Sequence, residues 1–305
     1  MKRTNIGGQA VIEGVMMRGK KMYAMAVRTP DGEITVEKKP CEGLSGKSTL
    51  FRLPIFRGMA AFIDSLIMGT KIIMRSAELA GEAIEEEGEL SKFEQFLQNK
   101  FGEKLNDYLI YFSVTISMIF ALLLFFLLPV WLGSFFKTVI PGTWALSIIE
   151  GLIRIGIFLG YIFLISKMKE IQRVFQYHGA EHKTINCFES EKELTVENVK
   201  QCTRLHKRCG TSFLLIVMMI SMVVFFFVRT DTIWLRLVSR ILLVPFVAGI
   251  SYEIIKWAGN SDNKLVAFVS YPGLCLQKIT TSEPDASQIE TAIAAMKGVL
   301  EDEPE

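Results

Sequence analysis

The sequence predicts an α-helical polytopic membrane protein, with about four transmembrane helices, a small N-terminal cytoplasmic β unit and interfacial amphipathic helices. Three observations predict it. Half of the 305 residues are hydrophobic and the mean hydropathy is +0.33, more apolar than a soluble domain of this length. Four apolar runs follow residue 107, three of them near the length that a bilayer core demands. Ahead of them, Glu33–Lys38 alternates polar and apolar residues just after the turn signal Thr29-Pro30-Asp31-Gly32, as a half-exposed strand after a turn does.

Residues 1–53 form the β unit. Gln9–Met17 is an apolar, β-branched run, and Met22–Val27 and Glu33–Lys38 are two further strands. Gly7-Gly8, Gly14 and Gly19 mark tight turns or a close backbone approach. Gly46-Lys47-Ser48 is not a phosphate-binding loop, because Cys41 stands where the motif needs glycine.

Residues 54–107 hold an amphipathic helix, Pro54–Glu78, and a charged helical connection. Arg57, Asp64, Lys71 and Glu78 recur every seven residues and make one thin polar stripe on an otherwise apolar helix. Such a helix lies in the membrane interface or re-enters it; the alternative is a helix packed in a soluble core.

Residues 108–257 carry the spans Tyr108–Leu132, Thr143–Ser166, Phe213–Val228 and Trp234–Trp257, with a turn at Pro141-Gly142. Trp131, Trp144, Trp234 and Trp257 fall at span ends, as an interfacial aromatic belt requires. The loop 167–212 holds nine Lys and Arg residues, whereas the two short loops hold only Lys137 and Arg229. Positive charge on one side places that loop, and both termini, in the cytoplasm. Residues 258–305 contain an apolar stretch, Asn263–Thr281, broken by Pro272-Gly273 and lying along the membrane surface. A capping box at Ser287 and Glu290 then opens the helix Ile289–Leu300, and the acidic end is frayed.

A net charge of +2 excludes a nucleic-acid binder with a broad basic face. Five scattered cysteines are not a disulfide framework. The N-terminus lacks the apolar core of a signal peptide, so the spans themselves direct insertion.

The chemistry concentrates between Tyr177 and Cys209, which contains all three histidines: His178, His182 and His206. His178, Glu181 and His182 make an H-x-x-E-H pattern, which on a helix puts both imidazoles on one face. A metal ion there lowers the pKa of its water, and Glu181 takes the proton. His206 and Cys209 are the natural further ligands, with Glu189 and Cys187 weaker ones; this set suits zinc, with iron the alternative. The competing view is that these polar residues cap helices, pair with Lys and Arg or hold lipid headgroups. Gly179 inside the pattern disfavours helix and marks a place where one helix would end at His178.

A second constellation lies within the spans. Glu150 and Arg154 are four apart, and Arg240, with Arg236, reaches a similar depth from the fourth span. Ionisable groups there are costly and are paired or functional. They form either an anion or lipid-headgroup site, or a pair between Glu150 and one arginine. Glu253, at the inner end of the fourth span, is a distant metal-ligand candidate. Gln9, Glu13 and Arg18 could fold over the histidine loop, with Glu13 as a second catalytic carboxylate or part of an anion clamp; alternatively they are exposed ends of the small sheet.

GGQAVIEGVMMRG at 7–19, YHGAEHK at 177–183, HKRCGTSF at 206–213 and PGLCLQKITTSEP at 272–284 together resemble the YqhQ-type bacterial membrane proteins. That family has no assigned function and is often labelled a predicted metal-dependent enzyme. The resemblance covers nearly the whole chain and implies a bacterial inner-membrane location and metal dependence, carried by His178, Glu181, His182, His206 and Cys209 with Gln9, Glu13 and Arg18. Two functions follow as expectations. One is a metal-dependent hydrolase acting on a lipid or membrane-proximal peptide. The other is a non-catalytic accessory or scaffold factor in membrane-protein biogenesis. Transport fits less well, since the membrane charges form no continuous route. The expected partners are the lipid bilayer, other membrane proteins and a second copy of the chain, with no nucleic acid.

Overall fold

The computed structural model describes residues 4, 6–41, 43, 49–81, 105–138, 142–228, 232–259 and 263–302. Gly46-Lys47-Ser48, most of the charged connection after residue 81, Pro141, Arg229 and the last three residues lie outside the described residues. The chain falls into two compact units, each gathered from separate stretches. One comprises Met1–Ala83, Leu159–Val224 and Leu242–Glu305; the other comprises Ile84–Phe158 and Phe225–Ile241.

In the first unit, β1 (Gly7–Val11), β2 (Gly14–Arg18), β3 (Met22–Arg28) and β4 (Ile34–Pro40) form an antiparallel meander in the order β1-β2-β3-β4. The run Gln9–Met17, read as one strand, is two. Ile12 and Glu13 turn the chain, with Glu13 in the left-handed region at φ 50°. Gly14 follows because any Cβ there would lie 2.2 Å from the Ala26 carbonyl. The turn before β4 is as expected: Gly32, at φ 87°, donates its N–H to Thr29 O at 2.9 Å.

Strands β2 and β3 are apolar at nearly every position because both sheet faces are covered. Val15, Met17, Ala24 and Ala26 point one way. They pack on Tyr177 and Ala180 of α5 (Lys169–Glu189) and on Ile289, Ala292 and Met296 of α10 (Ala286–Asp302). Met16, Met25 and Val27 point the other way, with Val11, onto Ile72 of α1 (Phe56–Leu79). This alternation is the period of two built into a strand.

Helix α1 starts two residues later than expected, after Pro54 and Ile55. Its stripe is used piecemeal: Arg57 pairs with Glu253, while Asp64 and Lys71 line a cavity of about 510 Å³ with Glu37 and Arg75. Leu66 and Ile67 stay half exposed on this helix, at 52% and 51%.

Four helices are long and apolar enough to cross a membrane: Phe112–Ser134, Trp144–Ile165, Gly210–Phe227 and Leu237–Trp257. The first spans α2 (Leu105–Leu122), a π turn (Leu123–Leu127) and α3 (Leu128–Ser134). The others lie in α4 (Thr143–Ile165), α7 (Gly210–Phe227) and α8 (Ile233–Gly259). Their outward residues include Phe120, Leu164 and Leu242, large apolar side chains at 60%, 70% and 73% exposure, a surface suited to lipid.

The π turn has a local cause. Pro129 has no N–H for the carbonyl four residues back, that of Phe125. Arg154 Nε donates to that carbonyl at 2.9 Å instead. Arg240 pairs with Glu150, and both are buried. Within this second unit Glu150 is thus engaged by Arg240, and Arg154 by a backbone oxygen, while the side chain of Arg236 lies outside the described residues.

Two helices complete the first unit. A short α6 (Val196–Lys200) is capped by Thr195. Then α9 (Lys264–Thr280) runs through Pro272 without ending. The capping box of α10 sits two residues earlier than expected. Asp285 Oδ1 accepts from the Gln288 N–H at 2.8 Å, and Gln288 Oε1 accepts from the Asp285 N–H at 3.0 Å. Ser287 and Glu290 face Arg28 instead: the Ser287 carbonyl and the Glu290 carboxylate both accept from its guanidinium.

Candidate metal centre

The pattern H-x-x-E-H lies in the middle of one continuous helix, α5. Gly179 does not break it. Glycine is needed there because the Ser282 carbonyl would stand 2.0 Å from any Cβ. Ser282 is fixed in turn by its N–H, which donates to Phe175 O at 2.8 Å. The segment between α9 and α10 therefore lies directly on the helix that carries the histidines.

His178 and His182, one turn apart, have ring centroids 4.4 Å from each other. His178 Nδ1 lies 2.8 Å from the Thr280 carbonyl, and His182 Nδ1 lies 2.6 Å from the Arg204 carbonyl. A carbonyl accepts only, so both Nδ1 atoms carry the proton and both Nε2 atoms present lone pairs. Backbone anchoring of this kind orients imidazoles that bind metal.

Cys209 supplies a third donor. Its Sγ lies 3.2 Å from His178 Nε2 and accepts from the Thr211 N–H at 3.4 Å. Ligand atoms of His178, His182 and Cys209 all lie within 4.8 Å of one another. Tetrahedral zinc, with bonds of about 2.0–2.3 Å, separates its N and S ligands by roughly 3.5 Å, so the set fits with small adjustment.

Glu181 borders these groups. Its Oε2 is 3.9 Å from His178 Nε2, and the residue is 4% exposed. Burial pushes its carboxyl up to about 7, against the opposing pull of His178. Gly8 of β1 closes over it: a Cβ at Gly8 would come 2.7 Å from Glu181 Cγ and 2.8 Å from Oε1.

His206 packs beside His182, with ring centroids 5.7 Å apart, but its ring nitrogens do not join the cluster of His178, His182 and Cys209. Gln277 of α9 clamps its backbone, accepting from the N–H and donating to the carbonyl, both at 2.8 Å. The chain turns between His206 and Cys209, and the imidazole Nε2 faces Glu189 Oε2 at 3.6 Å. Arg208 and the Thr4 N–H also engage Glu189. Burial lowers the His206 pKa below its ordinary value, with Glu189 pulling the other way. Burial works against the Glu189 anion too, but His206, the Thr4 amide and Arg208 outweigh it and hold the carboxyl down to about 2. A carboxylate lowered in the fold contributes stability above its unfolded pKa and loses it as pH falls through the folded one. Glu189→Gln is therefore expected to cost about 2–3 kcal/mol of stability at pH 7 and almost nothing near pH 2, read by thermal unfolding in detergent.

The remaining sequence candidates are dispersed. Glu13 is held by Arg173 and by Tyr177, whose hydroxyl donates at 3.2 Å. It is thus tied to the first half of α5 instead of joining the histidines as a second carboxylate. Gln9 lies over Gly69 of α1, and Arg18 lines a cavity of about 300 Å³ with Gly7, Gly8, Gln9, Ser65 and Met68. Glu253 is occupied by Arg57, not by the histidine loop. Cys187 is buried, and its thiol, which donates to Glu193 O at 3.7 Å, is pushed up to about 11 by burial and by Cys202 beside it. Sequence reasoning missed Gln277 and the two anchoring carbonyls. No motif marks a backbone oxygen, and only the fold brings α9 to the loop.

The family described as "Protein of unknown function (DUF1385)" matches residues 53–302. The chain is also similar to "Uncharacterized protein YqhQ" of Bacillus subtilis (strain 168). The two are 39% identical over 296 residues, covering 96% of this chain and 92% of the relative. No solved structure matches the chain.

Proposed function

Because the chain belongs to the DUF1385 family, which carries no assigned activity, we propose its function from the site: a membrane-embedded, metal-dependent hydrolase, with zinc held by His178, His182 and Cys209. The carrying observation is the pair of imidazoles, each pinned through Nδ1 to a backbone carbonyl, converging with a thiol. Three protein ligands leave one tetrahedral position open, the arrangement of catalytic rather than structural zinc.

A bound zinc ion supplies Lewis acidity and brings the pKa of water toward neutrality. The chain's residues do the rest. Glu181 stands beside the ligand atoms, buried and with its Oε2 3.9 Å from His178 Nε2, within reach of the proton of a water held between them. Thr280 and Arg204 hold the imidazoles in one tautomer, and Gly8 lies directly against Glu181. The substrate is a lipid or a membrane-proximal peptide, since the site shares its chain with four membrane-length helices. The excess of Lys and Arg in 167–212 supports a cytoplasmic site and cytoplasmic termini in a bacterial inner membrane. The half-exposed apolar residues of α1 support an interfacial position.

Those same residues favour a second reading, an accessory factor that docks other membrane proteins through α1. Metal removal separates the two. Phenanthroline treatment of the purified protein is expected to abolish hydrolysis of peptide or phospholipid-ester substrates, and added zinc to restore it. Zinc-loaded protein with no turnover on either class would favour the accessory reading.

A further inference from the structure

We propose that the open edge of β1 receives an extended polypeptide, so that the substrate of the metal site is a peptide bond; this rests on the hydrolase reading above. The register establishes the edge. Val11 and Gly14 close the β1–β2 hairpin across a two-residue turn, so Gly7, Gln9 and Val11 bond to β2. Gly8 and Ala10 then turn their N–H and C=O groups outward. Beyond the strand, the turn residue Ile12 is engaged by α1: its N–H donates to Ser76 Oγ at 3.2 Å. Among the described residues no strand pairs with Gly8 or Ala10, and β1 ends the sheet.

Proteins blunt such edges with charge, proline or a covering element. Here the edge reads GGQAV, with no charge, and both glycines are exposed. It also runs past the catalytic carboxylate, since Gly8 is the residue lying against Glu181. A polypeptide paired to β1 would run about 4.8 Å from the strand that touches Glu181. Its side chains would alternate between the face of α5 and the opposite face, where the cavity of about 300 Å³ opens beside Gly7, Gln9 and Arg18. A phospholipid ester has no alternating donors and acceptors to match Gly8 and Ala10, whereas an extended backbone matches them residue for residue. In the reaction, the oxygen of water joins the carbonyl carbon and the C–N bond breaks. The proton that Glu181 takes from the water passes to the leaving nitrogen, giving a carboxylate and an amine.

The test uses zinc-loaded full-length protein in detergent and a fluorescein-labelled octapeptide of alternating valine and threonine. Binding is read by anisotropy and cleavage by mass spectrometry. Methylating alternate peptide nitrogens in one phase is expected to weaken binding by about tenfold or more, the loss of one or two backbone hydrogen bonds, and in the other phase by less than about threefold. Ala10→Pro removes an outward N–H at an edge position that tolerates proline. It is expected to keep its zinc and lose the peptide by a similar factor. Equal binding of both methylated forms would overturn the proposal, as would normal binding by Ala10→Pro or hydrolysis of phospholipid esters with no peptide bound. If Ala10→Pro fails to fold, the methylated series on the wild type decides alone. Peptide held in the expected phase but never cut, with zinc present, would support the edge and sink the hydrolase reading.

Discussion

Replacing His182 with alanine is expected to take zinc in the purified protein from about one ion per chain to less than about a tenth of that, measured by elemental analysis. His178→Ala and Cys209→Ala should do the same, because each removes one of three protein ligands. His206→Ala should leave the zinc in place. Its imidazole faces Glu189, and its backbone clamp to Gln277 does not depend on the side chain. The contrast is informative because sequence spacing alone treats His206 and Cys209 alike. Equal loss of zinc in all four variants would mean that the loop responds only through misfolding, and the ligand assignment would fall.

Glu181→Gln is expected to lower turnover by about 10²–10⁴-fold while leaving zinc content unchanged, the size of effect that loss of a general base produces. It should also stabilise the chelator-treated protein. Burial raises this carboxyl to about 7 in the fold, from an ordinary 4.5. The folded state then holds a proton that the unfolded state gives up, so stability is greatest below 4.5 and falls as pH rises to 7. At pH 8 the buried anion costs on the order of 2–3 kcal/mol. Glutamine carries no charge, so the variant should unfold at a higher temperature than wild type at pH 8 and at the same temperature at pH 4. A Glu181→Gln protein with undiminished turnover would remove the glutamate from the chemistry and favour the accessory reading.

Much of this was legible in the sequence because local patterns report local structure. The strand after Gly32 and the four apolar runs follow from periodicity and length. The shared face of His178 and His182 follows from helix geometry alone. What the sequence concealed came from long-range contacts. Gly179 looks like a helix breaker until the Ser282 carbonyl is seen against it. The one run Gln9–Met17 is two strands because Glu13 tolerates a left-handed conformation that non-glycine residues seldom take. Asp285 is the cap because it and Gln288 bond each other's backbone N–H groups reciprocally, which starts the helix at Ala286 and leaves Ser287 inside it. Spacing pairs His206 with Cys209, yet the fold directs His206 Nε2 to Glu189 and Cys209 Sγ to His178. The paired glycines at 7 and 8 did signal a close approach; the residue approached, Glu181, lay beyond what sequence could name.

The packing of α10 against both α5 and the sheet sets an order of events during synthesis. Arg28 reaches Ser287 across 259 positions of chain. At roughly 5–20 residues per second, the ribosome needs about 13–52 s to cover that interval. Until then α5 alone covers the face bearing Val15, Met17, Ala24 and Ala26, and the rest of its lid is missing. The Ser282 carbonyl that rests on Gly179 leaves the tunnel just before that lid. The proposed ligands on α5 therefore gain their last anchors only after α9 has emerged, and the first-made strands keep part of their apolar face uncovered until α10 follows.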